Sequence, residues 1–210
     1  MEIKRQTIEE FTAQLSSKAP TPGGGGASAL AGALGNALGQ MVANLTIGKK
    51  KYADVEQEVI RQLETMEQLQ RRFLELADED ARVFAPLAAC YSLPSGTEEE
   101  RIYKETVMEE NLLAASRIPM EIMEESLKML DILEFLGEKG SRLAVSDVGV
   151  GVQFIRTALS GAVMNVYINT RSMKNREKAE ELNRKADEML AQGIGQADQI
   201  YEMVRKGLRG

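Results

Sequence analysis

The sequence predicts an all-α protein, a bundle of long helices in which amphipathic segments are kinked by proline. Three observations predict it. Apolar residues recur at helical spacing, most clearly from Val55 to Val83. Two capping boxes, Thr7 with Glu10 and Thr97 with Glu100, mark helix starts. No β-branched run alternates with polar residues between turn signals, so strands are not expected. At 210 residues, one domain covering positions 1–210 is the expectation, and it is long enough to bury a sizeable core. No internal repeat stands out.

The elements follow in order. Thr7 caps a short helix reaching about Ser17. A charge-free helix follows the glycines Gly23 to Gly26 and ends near Ile47. A long amphipathic helix runs from about Asp54 to Tyr91, with Val59, Met66, Leu69, Phe73 and Leu76 on its apolar face. Pro86 should kink it, and Leu93-Pro94-Ser95-Gly96 ends it. The next helix starts at Thr97, is broken or kinked by Pro119, and reaches Leu136 before Gly137 and Gly140. Ser146 to Gly151 reads as a loop. A sparsely charged helix covers about Val152 to Thr170, and a polar one runs from about Asn175 to Lys206.

From Ala19 to Gly48 there is no charged side chain, in a chain that is 28% charged, so the gap implies burial or a ligand. A membrane span is the first reading, since Ala27 to Ile47 has about the right length. Asn36, Gln40 and Asn44 oppose it: at i, i+4 and i+8 they form one polar stripe that lipid would leave unsatisfied. Two compatible readings remain. One is a core helix whose glycines admit close neighbours; the other is a helix whose amides line a ligand pocket. The stretch from Thr157 to Thr170 repeats the pattern with Gly161, Asn165 and Asn169. Its amides serve equally well as cross-helix hydrogen bonds or as ligand contacts.

Composition narrows the function. A net charge of −6 disfavours nucleic acid as the main partner. The single cysteine, Cys90, excludes an intrachain disulfide and a Cys-cluster metal site, and reads as a buried thiol in a reducing compartment. No basic, apolar leader precedes Thr7, so the expected location is the cytoplasm. There is no histidine, hence no imidazole base and no imidazole metal ligand. An enzyme built from this inventory must move protons with Asp, Glu, Lys or Tyr, on a substrate electrophilic enough to need no transition metal.

The carboxylates offer two candidates. Asp78-Glu79-Asp80 lies within the long helix, where a charge run is ordinarily a solvated face. Asp78 and Asp80 differ by about 200° around a helix, so only one can enter a given pocket. Asp80 shares a row with Phe73, Leu76 and Leu87 and is expected to face inward. Asp147, ahead of Gly149 and Gly151, is a helix N-cap or a second site carboxylate, the cap being the plainer expectation. The glycine run lacks the G-K-[ST] of a nucleotide loop, although an anionic or carbonyl group could sit at the helix N-terminus behind it. Lys49, Lys50 and Lys51, taken alone, are a solvated run.

The motifs in combination resemble one family over nearly the whole chain. They are Pro20-Thr21-Pro22-Gly23-Gly24-Gly25, Ala33-Leu34-Gly35, Met41 to Thr46, and Gly48-Lys49-Lys50-Lys51-Tyr52, followed by Asp78 to Phe84 (D-E-D-A-R-V-F). Leu93-Pro94, Ile118-Pro119, Val145-Ser146-Asp147, Gly161-Ala162 and Asn165 to Asn169 continue the likeness. The sequence resembles the cyclodeaminase domain of formiminotransferase-cyclodeaminase and its stand-alone methenyltetrahydrofolate cyclohydrolase relatives.

That resemblance implies an all-helical homodimer acting on a one-carbon tetrahydrofolate, possibly polyglutamylated, with no metal and no further cofactor. It implies Asp80 as the catalytic acid–base. Pro22, Gly23, Gly24, Gly25, the amides Asn36, Gln40, Asn44, Asn165 and Asn169, the lysines Lys49 to Lys51, and Asp147 would bind substrate. One departure stands out: relatives usually place Ser after three glycines, where this chain has Gly26, with Ser28 two places on. The chemistry suits the inventory, because a 5,10-methenyl-tetrahydrofolate carries a cationic amidinium carbon that is already electrophilic. With no formiminotransferase domain on this chain, the expectation leans to the cyclohydrolase; cyclodeamination with ammonia release is the alternative. A non-catalytic helical protein that binds folate or only assembles with itself is the rival from another class.

Overall fold

The structure, a computed structural model, describes residues 2–209, and among these no strand occurs. The helices are α1 (Ile8–Leu15), α2 (Gly24–Thr46), α3 (Glu56–Cys90), α4 (Glu98–Lys139), α5 (Val145–Ser172) and α6 (Arg176–Arg209). Single 3₁₀ turns lie at Ile3–Arg5, Lys50–Tyr52 and Arg142–Ala144. Both expected capping boxes form: the Thr7 and Thr97 hydroxyls accept the Glu10 and Glu100 backbone N–H groups. No helix among the described residues is long and apolar enough to cross a membrane.

The charge-free helix α2 is the centre of the bundle, between α5 on one side and α3 on the other, with α4 also against it. Small residues set the α2–α5 register. Gly24 lies beside Asn165, Ser28 beside Gly161 and Gly35 beside Gly151, so the two helices run antiparallel. At the tightest point a Cβ on Gly35 would come within 2.8 Å of the Gly151 carbonyl oxygen. Both helices are uncharged along this seam because the backbones leave no room for long side chains or for water. On the other side Phe73 of α3 fills the space over Gly32. Helices α4 and α6 then cover α5, closing a core that includes Met123, Leu130, Leu133, Ile155, Leu159 and Ile200.

Two local expectations are corrected. α2 begins at Gly24 rather than Ala27, because the glycine turn is fastened by a hydrogen bond described below. As expected, α3 runs past Pro86, to Cys90, and of the two outcomes expected at Pro119 a break does not occur, since α4 is continuous through it. Ile118, Pro119 and Met120 are all buried, so packing outweighs the lost backbone bond at that point. Ser146 to Gly151 is not a loop but part of the first two turns of α5, where Val148 and Val152 are fully buried. Tertiary burial overrides the poor helix propensity of its glycines.

Candidate active site

The row that packs α3 onto α2 also aims Asp80. Phe73 and Leu76 face α2, and Asp80 lies seven and four residues further along the same face. Two turns beyond the Phe73–Gly32 contact it therefore meets the first turn of α2. There its Oδ2 accepts the Gly26 backbone N–H at 3.0 Å. Its Oδ1 lies so close to Gly25 that a Cβ on that residue would sit 2.1 Å away. A carboxylate at a helix N-terminus is a favourable electrostatic arrangement, and here the protein supplies its own anion.

Asp80 opens onto a cleft of about 230 Å³. Pro20, Thr21, Gly23 and Gly24 form one side. Val83 and Phe84 of α3 and Ala115 of α4 give an apolar wall; Asn165, Ile168 and Asn169 of α5 close the other side. Asp80 is the one ionisable residue among those lining the cleft. Burial pushes its carboxyl above the ordinary Asp value, and the Gly26 N–H partly opposes that. Asn165 donates from Nδ2 to the Gly161 carbonyl at 3.0 Å, so the amide is fixed in orientation beside Gly24.

The neighbouring carboxylates are turned elsewhere. Asp78 accepts the Ile3 backbone N–H and lies 3.6 Å from Lys4 Nζ. Glu79 shares Arg72 with Glu121, tying α3 to α4. Among the described residues, no three His, Cys, Asp or Glu side chains gather where they could hold a metal ion.

A profile of the formiminotransferase-cyclodeaminase family matches residues 7–188. This chain belongs to that family. A methenyltetrahydrofolate cyclohydrolase of Methylorubrum extorquens is 38% identical, over 95% of this chain and 96% of its own. The formimidoyltransferase-cyclodeaminase of Rattus norvegicus is 27% identical over 91% of this chain, which spans only 35% of that longer protein. The crystal structure of a formiminotetrahydrofolate cyclodeaminase from Thermotoga maritima superposes with a TM-score of 0.82 at 29% identity, covering 100% of this chain and 98% of its own.

Against the family pattern, the sequence expectations divide by place. Gly23, Gly24, Asp80, Asn165 and Asn169 meet at the cleft, Gly25 lies directly behind Asp80, and Pro22 is buried beneath the loop. Asn36 and Gln40 do not reach it. Asn36 donates to the Met66 carbonyl at 2.9 Å and to Gln70 Oε1 at 2.6 Å, and Gln40 points to the same two acceptors. This half of the amide stripe links α2 to α3, because the face it occupies is the one α3 covers. Asn44 is exposed near the other end of α2.

The lysines are also remote within one chain. Beyond α2, Gly48 turns the backbone with φ 74°, and Lys49, Lys50 and Lys51 follow, all exposed. At 1.5 Å per residue, that places them roughly 30 Å along α2 from the cleft. Asp147 is at the same far end, in the first turn of α5; the N-cap position belongs to Ala144. The departure at Gly26 also acquires a meaning: the Ser28 hydroxyl donates to the Gly24 carbonyl at 2.7 Å and packs against Gly161. It holds the turn.

Sequence reasoning missed Pro20, Thr21, Val83, Phe84, Ala115 and Ile168 as cleft residues and Gly26 as the donor to Asp80. Phe84 had a signal, lying four residues after Asp80 and so on the same face. Ala115 and Ile168 are ordinary apolar residues whose position depends on tertiary packing alone.

Proposed function

We propose that this chain hydrolyses 5,10-methenyltetrahydrofolate, with Asp80 as the acid–base. The observation that carries the reading is the solitary carboxyl in an otherwise neutral cleft, with its proton affinity raised by burial. Ionised Asp80 attracts the cationic amidinium and takes a proton from the attacking water as the new C–O bond forms. Protonated Asp80 then returns that proton to the departing ring nitrogen as the C–N bond breaks, while the adduct's hydroxyl loses its proton to solvent and becomes the formyl carbonyl, so one group serves both steps. Val83, Phe84 and Ile168 offer apolar contact to a flat ring system, while the Asn165 and Asn169 amides face the polarity that develops at the reacting carbon. The near end-to-end match to the Methylorubrum cyclohydrolase supports this direction.

Cyclodeamination is the second reading, favoured by the likeness to the Thermotoga chain. There the ring closes from the formimino form and ammonia leaves, again with a carboxyl shuttling the proton. That protein is matched over nearly its full length, so chain length does not separate the two activities. Purified protein should hydrolyse the methenyl substrate, measured by loss of its absorbance. Ammonia release from the formimino form without methenyl hydrolysis would exchange the first reading for the second, and activity on neither would remove both.

The proposed assembly is a homodimer in the cytoplasm. Leu34, Met41 and Leu45 of α2 and Met164 and Ile168 of α5 leave an uncharged apolar face exposed, which suits a second copy. If two such faces pair with their α2 helices antiparallel, the lysines of one protomer approach the cleft of the other. Lys49 to Lys51 would then meet a substrate's glutamate tail in trans, and Asp147 would lie nearby. Sedimentation equilibrium tests the pairing, with Leu34→Glu and Met41→Glu expected to give monomers.

A further inference from the structure

We propose that the N-terminal turn Ile3–Arg5, fastened to Asp78, is a positioning element for Asp80, with Ile3 holding the Gly26 N–H on the carboxylate. The inference rests on the reading of Asp80 as the acid–base group. The turn is tied to the body of the protein by three contacts. Asp78 accepts the Ile3 backbone N–H, and Lys4 pairs with the same carboxylate at 3.6 Å. The Ile3 side chain, only 6% exposed, completes the set. Its Cδ1 lies 3.5 Å from where a Cβ on Gly26 would be, and the Ala77 carbonyl lies 3.6 Å from the same point.

The location is what points beyond plain anchoring. Gly26 has no side chain of its own to lean on its surroundings, and Ile3 fills the space beside it. The same residue donates the 3.0 Å hydrogen bond to Asp80. One helix thus holds both ends of a closed circuit: Asp78 fixes the turn, the turn fixes Gly26, and Gly26 fixes Asp80.

The circuit also bears on ionisation. Burial raises the proton affinity of Asp80 and the Gly26 N–H opposes it, so a looser N–H leaves the carboxyl harder to ionise. Among the described residues no other group competes for that role. The cleft residues from the loop, α4 and α5 are uncharged, and on α3 itself Asp78 and Glu79 are turned to Lys4 and Arg72.

The test compares Ile3→Ala, Ile3→Val, Asp78→Ala and Asp78→Asn by kcat, KM, pH profile and Tm, with Asp80→Asn in parallel. Ile3→Ala and Asp78→Ala should lower kcat by about 10-fold, inside the ~10² that a small misplacement can cost, with KM far less affected. The acid limb of kcat should move to higher pH in both. Asp78→Asn keeps an acceptor for the Ile3 N–H and should restore most of the rate. Ile3→Val, one methyl group smaller, should shift the limb in the same direction by less, and decides the matter should Ile3→Ala not fold. Variants that lower Tm while kcat and the acid limb stay as in the parent would overturn the positioning role. Retained activity in Asp80→Asn would instead remove the acid–base reading on which it stands.

Discussion

The Asp80 carboxylate rests on the bare α-carbon of Gly25, with Oδ1 only 2.1 Å from where a Cβ would be built. The atom in the way is the end of a side chain, so the cheapest response to Gly25→Ala is for Asp80 to swing away. Alanine is also worth up to about 1 kcal/mol over glycine within a helix. Gly25→Ala should therefore keep its Tm close to the parent's while kcat falls by about 10² or more, toward the contribution of a positioned acid–base. Thermal melts and steady-state kinetics on the same preparation check it; a large loss of Tm with kcat retained would contradict it.

Gly35→Ala should behave in the opposite way. Here the obstruction is the Gly151 backbone carbonyl, 2.8 Å from the new Cβ, with Ile155 equally near. Neither helix can yield locally, so overpacking of about 1–3 kcal/mol is expected, seen as a lower denaturation midpoint in urea. The cleft lies several turns away and kcat of the folded fraction should change little.

Asp80 should cost stability at neutral pH. Its folded-state pKa is raised, chiefly by burial, so the native state favours the protonated acid relative to the unfolded chain. The penalty is absent below the unfolded pKa, where both states hold the proton, and it grows as pH rises until it is complete above the folded pKa. Asp80→Asn should accordingly melt at or above the parent temperature near pH 7, with the difference shrinking as pH falls below the ordinary Asp range. A parent protein that gains on the variant as pH rises would contradict the sign.

The lysines give a test of assembly as well as binding. Replacing Lys49, Lys50 and Lys51 with Gln should raise KM more for polyglutamylated than for monoglutamyl substrate, and the gap should narrow in high salt. Because the cluster is remote from the cleft of its own chain, mixing this triple variant with Asp80→Asn should regain activity: one cleft in the mixed dimer has both Asp80 and intact lysines. No recovery on mixing, or equal effects on both substrates, would exclude a tail site formed in trans.

Much of this was legible in the sequence for identifiable reasons. Helical periodicity and capping boxes act within a few residues, so α1, α3 and the start of α4 could be read locally. The inward turn of Asp80 followed from its row with Phe73 and Leu76. The helical state of Ser146 to Gly151 was not legible, because burial of Val148 and Val152 against other helices decides it. Spacing makes the amide stripe one unit, yet α3 covers Asn36 and Gln40 while Asn44 lies beyond it. Spacing tells which residues share a face; it does not tell what packs on each part of that face. The same holds for Ala115 and Ile168, which line the cleft only because α4 and α5 pass there.

In the proposed mechanism Asp80, and not its neighbour, carries the proton. The most direct measurement is kcat for methenyl-tetrahydrofolate hydrolysis by Asp80→Asn and Asp78→Asn, with folding verified for each. Asn is nearly isosteric and can still accept the Gly26 N–H, so Asp80→Asn should lose about 10²–10⁴ in kcat with little change in KM. Asp78→Asn still accepts from Ile3 and should stay within a few-fold of the parent. Loss of activity in Asp78→Asn with Asp80→Asn active would instead assign the proton transfer to Asp78.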